Sequence, residues 1–138
     1  MCLAVYIASD QELPLKAFDP HARGFNVKPL TPREETVREQ FSLPHVVYAG
    51  SHTSCSCGFV EESEDDDESV TQSRADLVGY LESALSRGAT EIFTCWEGDQ
   101  SNVPRRRLQL SVAELSRTAQ WLEEMTFVEL SAWPGARD

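Results

Sequence analysis

Short apolar runs and longer apolar stripes alternate along this chain. Leu3 to Ala8 is an unbroken run rich in Val, Ile and Tyr, and it predicts a central strand. Similar runs predict strands over Val46–Ala49, Glu91–Trp96 and Phe127–Ala132, the last ending before Trp133-Pro134. Phe25–Leu30 is a further candidate, held to an edge or an end because Pro29 has no amide to donate. Arg106–Leu110 alternates weakly and makes another.

The stripes predict helices. Thr31-Pro32-Arg33-Glu34 combines an N-cap, a first-position proline and a capping-box glutamate, and starts a helix that runs to about Phe41. Only Val37 and Phe41 are apolar at helical spacing there, so it packs shallowly. Ser73 to Arg87 carries Leu77, Leu81, Ala84 and Leu85 on one face, widened by Val78, with Gly88 as terminator. Ser111-Val112-Ala113-Glu114 is another capping box, followed by a stripe of Val112, Leu115, Ala119, Leu122 and Met125 that Trp121 flanks.

This alternation predicts an α/β fold across residues 1–138, one small domain with a mixed sheet of about four to six strands and three helices. The unit from Val46 through the helix at 74–87 to Ile92 predicts a βαβ crossover, with its two strands parallel and close together in one sheet.

Charge changes the picture at one place. The chain has 138 residues and a formal charge of −11, and seven acidic residues crowd into Glu61–Glu68. A block of like charge with little to bury predicts a mobile acidic loop over 61–72. Its spacing lacks the alternating ligands and central glycine of an EF-hand loop. The overall acidity argues against nucleic acid as a partner. Arg105-Arg106-Arg107 reads as a solvated strand edge. No apolar run approaches the ~20 residues that span a membrane, so no membrane association is expected. The apolar start has no basic n-region of a signal peptide. A cytoplasmic location follows as an expectation, and there thiols stay reduced.

Four cysteines in such a setting point to metal, to reactive thiols or to plain burial. Two of them lie in the turn after the Val46–Ala49 strand, in the stretch His52-Thr53-Ser54-Cys55-Ser56-Cys57, with Gly50 and Gly58 on either side. Sites in open α/β sheets gather at the carboxyl ends of parallel strands. His52, Cys55, Cys57 and Cys95 are therefore the candidate metal ligands, for zinc or for Cu(I), with Cys2 as the other possible fourth. Cys-x-Cys is tighter than the usual zinc knuckle. The same residues also suit thiol chemistry, with His52 or the backbone amides of the turn lowering a thiol pKa and Glu97 orienting the histidine. Removal of Met1 would leave Cys2 as an N-terminal nucleophile, but such folds usually need a larger sandwich than this chain provides. The rival expectation is an interaction protein whose acidic loop and exposed aromatics bind a protein partner, with purely structural cysteines.

Overall fold

A computed structural model describes residues 2–22, 24–60 and 67–131. The described residues build one six-stranded mixed sheet in the order β2-β3-β1-β4-β6-β5. The strands are β1 (Leu3–Ser9), β2 (Asn26–Pro29), β3 (His45–Gly50), β4 (Thr90–Trp96), β5 (Arg106–Ser111) and β6 (Thr126–Ser131). The expected α/β fold with a mixed sheet is therefore the one found. All seven residues of β1 are buried, as a central strand requires. β2 is an edge strand, as Pro29 demands.

β1 is antiparallel to both of its neighbours, β3 and β4. β3 and β4 consequently run in the same direction with one strand between them. The 21-residue helix α1 (Asp67–Arg87) joins them. The crossover exists, but its strands are second neighbours. Among the described residues, the one adjacent parallel pair is β5 with β6.

Each face of the sheet has its own core. On one face Val5, Ile7, Val47, Ile92 and Val128 pack against Leu77 and Leu81 of α1 and against Trp121 and Leu122. On the other, Ala4, Tyr6, Tyr48, Phe93, Cys95 and Phe127 are covered by Val37 and Phe41. Val37 lies in the helical segment Pro32–Gln40, which adopts 3₁₀ geometry and buries that single side chain. Thr31 N–H donates to Glu34 Oε1 at 3.0 Å there, the backward arm of the expected capping box.

Two sequence expectations change. Of the acidic loop expected over 61–72, residues 61–66 lie outside the described residues, whereas Asp67 to Gln72 form the first turns of α1. Val70 is the reason: it continues the stripe Ser73, Leu77, Leu81, Ala84, and burying it repays the extension. Ser73 is thus an interior residue and not a cap. The third expected helix, by contrast, stops after one turn, α2 (Val112–Leu115), and resumes as a 3₁₀ turn over Gln120–Leu122. Trp121 Nε1–H donates to the Leu115 carbonyl (3.2 Å) and the Thr118 carbonyl (2.8 Å). A continuing helix would offer the Leu115 carbonyl to the amide of Ala119. Trp133 lies outside the described residues. No helix of the described residues is long and apolar enough to cross a membrane.

The triple-arginine edge pairs within the molecule. Arg105 reaches Glu124 at 3.8 Å, Arg106 pairs with Glu123, and Arg107 lies over the Phe127 ring at 4.9 Å.

Candidate metal centre

The site forms where β3 ends one step before its neighbour does. The pairing of β1 with β3 stops at Val5–Ala49, while β1 extends back to Leu3. Amides of β1 that face β3 then lack a backbone partner, and a buried amide must find one. The turn after Gly50 folds into the vacant place. Ser56 Oγ accepts from Val5 N–H at 2.9 Å and donates to the Ala49 carbonyl at 2.6 Å. Cys57 Sγ accepts from Leu3 N–H at 3.3 Å. Side chains of the turn thus replace the missing strand, and they set Cys57 beside the first residues of β1.

The turn itself is rigidly tied. Ser51 N–H and Ser51 Oγ both donate to the Cys55 carbonyl, at 2.9 and 2.7 Å. Ser56 N–H donates to Tyr48 Oη at 2.9 Å. Lys28 Nζ clamps the Ser54 carbonyl and hydroxyl at 2.9 and 2.8 Å. The two glycines serve close approach. A Cβ on Gly58 would meet Ser51 Oγ and would lie 2.8 Å from His52 Cε1. Gly58→Ala is therefore expected to cost about 1–3 kcal/mol, the range for forcing atoms into a packed site. A urea midpoint equal to that of the unchanged chain would contradict this.

Three sulfurs meet at this place. The Sγ atoms of Cys2, Cys55 and Cys57 all lie within 4.8 Å of one another, each residue half-buried, and all four cysteines of the chain are free. This group is close enough to hold a metal ion. Of the residues expected from sequence, Cys55 and Cys57 are in it and His52 and Cys95 are not. Cys95 is fully buried in the core that also holds Phe93 and Tyr6. His52 Nδ1 faces Ser73 Oγ at 3.0 Å, and Ser73 Oγ also accepts His52 N–H at 3.1 Å, so the ring is oriented by α1 and not by Glu97.

The electrostatics of the group are uneven. Burial raises the Cys55 thiol, but the Thr53 hydroxyl and the backbone and thiol of Cys57 outweigh it and bring it below the ordinary value. Cys57 is pushed up to about 11, first by burial and then by the neighbouring sulfurs of Cys55 and Cys2, against the opposing Leu3 amide. Cys95 is pushed up to about 12, chiefly by burial. Three adjacent thiolates repel one another, and a cation among them removes that cost.

Two pH effects follow. Cys55 should alkylate with iodoacetamide faster than Cys57 at pH 8, read by peptide mass spectrometry, and equal labelling would contradict the assignment. Stability should fall as pH rises from about 9 to about 12. Cys57, Cys95 and Tyr48, the last raised to about 12 mainly by burial, hold their protons more tightly folded than unfolded. Their contribution is complete below the unfolded pKa values and is lost as pH passes the folded ones. A urea midpoint that stays flat over that window would overturn this.

Comparisons with protein-family models, with curated proteins and with solved structures return no match, so the functional reading rests on this geometry.

Proposed function

We propose that this protein is a binder of a single thiophilic metal ion, zinc or copper(I), held by Cys2, Cys55 and Cys57. The observation that carries the reading is the convergence of three unlinked sulfurs from two segments more than fifty positions apart. Tetrahedral zinc with Zn–S of about 2.3 Å needs sulfurs about 3.8 Å apart, within the spread of this group. The Leu3 amide directed at Cys57 supports the same reading, since a backbone donor stabilises a ligating thiolate. The half-exposure of the three residues leaves a path for the ion.

The test is elemental mass spectrometry on protein purified under reducing conditions without chelator. Near-stoichiometric zinc or copper that disappears in Cys55→Ser/Cys57→Ser supports the proposal. A metal-free chain that also fails to take up added zinc or copper(I) refutes it.

A redox role is the second reading, favoured by the contrast between a lowered Cys55 and a raised Cys57. That pairing suits an attacking thiolate with a resolving partner. Rapid Cys55–Cys57 disulfide formation when hydrogen peroxide is added to a metal-free chain, the peroxide taking the two electrons and leaving as water, would support it. The interaction-protein reading has less behind it. Among the described residues only Leu15 and Val103 are large apolar side chains that stand exposed, and scattered singles are ordinary.

A further inference from the structure

Three sulfurs leave a zinc ion one ligand short of its usual four. The surroundings of Cys55 indicate what completes the set. Cys55 lines a cleft of ≈ 680 Å³ together with Thr53, Arg33, Glu97 and Gln100. That volume lies in the range of small-molecule sites. Lys28 is in the wall but is already held by Ser54. Arg33 and Glu97 are exposed, and neither side chain makes an ion pair or hydrogen bond among the described residues. The cleft thus offers one cation and one anion without partners, next to a sulfur of the metal group. The second cleft, on the Cys57 side, is different. There Arg106 pairs with Glu123, Glu124 accepts from Trp96, and Arg74 donates to the Phe59 carbonyl.

We propose that the fourth ligand is the thiolate of a small zwitterionic thiol, cysteine or a short cysteinyl peptide, seated in the cleft between Arg33 and Glu97. The carboxylate of that thiol faces the Arg33 guanidinium, its ammonium group faces Glu97, and its sulfur reaches the ion beside Cys55. The exchange is a ligand substitution: the thiol gives its proton to solvent, its sulfur displaces a water from the ion, and no electrons are transferred. The inference rests on the metal reading above.

The test uses the full chain loaded with Co(II) in place of zinc, whose sulfur-to-metal charge-transfer absorption counts thiolates. Cysteine should raise that absorption by about a third, as three sulfurs become four. Arg33→Ala and Glu97→Gln should each raise the half-saturating cysteine concentration about twofold to fivefold, because an exposed charge pair is lost. The same substitutions should leave the response to 2-mercaptoethanol, which has a thiol and no charges, where it was. If Co(II) binds but cysteine adds no absorption, or if both thiols weaken equally in the variants, the inference is overturned and the metal reading stands. Bleaching of the bands, the mark of a thiol that strips the ion, overturns it too. If neither Co(II) nor zinc binds, the inference falls with the zinc form of the reading.

Discussion

Cys2→Ser is expected to lose zinc affinity by about a hundredfold or more, while Cys95→Ala keeps it. Structural zinc sites carry roughly 10–16 kcal/mol spread over about four ligands, so one thiolate accounts for roughly 2.5–4 kcal/mol, about 70-fold to 900-fold in binding. Cys2 holds one of three sulfurs that lie within 4.8 Å of each other. Cys95 is fully buried in the core and is not one of the three, and its loss should cost about 1 kcal/mol of stability from a small cavity. Competition with a chromophoric chelator measures both affinities. Loss of affinity in Cys95→Ala with retention in Cys2→Ser would reverse the assignment of the site.

That contrast marks the limit of what the sequence reveals. Cys55 and Cys57 are visible as a pair because they share one turn after an obvious strand. The choice between Cys95 and Cys2 depends on strand order. The crossover from β3 through α1 to β4 brings the ends of both strands to one side of the sheet, which favours Cys95 on topology alone. The three-sulfur group does not include it. Phe93 and Cys95 point together into the core that holds Tyr6, where Cys95 is sealed from solvent, and Ile92 points to the α1 face. Cys2 arrives because an antiparallel strand between β3 and β4 must begin where they end. The reading of β1 as a central strand contained that clue, but nothing local states that its neighbours are both antiparallel. His52 looks like a ligand by proximity in sequence, and the distant partner that claims it, Ser73, sits inside a helix that begins two turns earlier than its capping pattern suggests. The strands are legible to within a residue or so, because runs of Val, Ile and aromatic residues bounded by turn residues leave few alternatives. The third helix is not, because its stripe of Leu115, Ala119 and Leu122 is satisfied equally by a broken segment that drives Trp121 inward.

Trp121→Ala should destabilise the fold more than either Gly58→Ala or Cys95→Ala, by about 3–5 kcal/mol. The indole is 1 % exposed and is among the largest fully buried side chains of the molecule. It packs in the core beneath α1, and its Nε1–H bridges the carbonyl of Leu115, the last residue of α2, and that of Thr118 beyond it. Removing it opens a cavity and strips those carbonyls of their donor at once. Against a typical total of about 5–15 kcal/mol, the variant should be largely unfolded in mild urea. Trp121→Phe keeps most of the packing and loses the donor, so its cost should be smaller, about 1–3 kcal/mol. Equal and small effects of both substitutions in urea titrations followed by circular dichroism would show that this segment is peripheral to the fold.

The convergence of Cys2 with Cys55 and Cys57 on one ion is tested most directly by X-ray absorption at the metal edge, on zinc-loaded protein free of added thiols. Three sulfur neighbours near 2.3 Å and one lighter atom are expected, falling to about two sulfurs in Cys2→Ser. Two sulfurs and an imidazole in the unchanged chain, with no change in Cys2→Ser, would contradict the account and return His52 to the site.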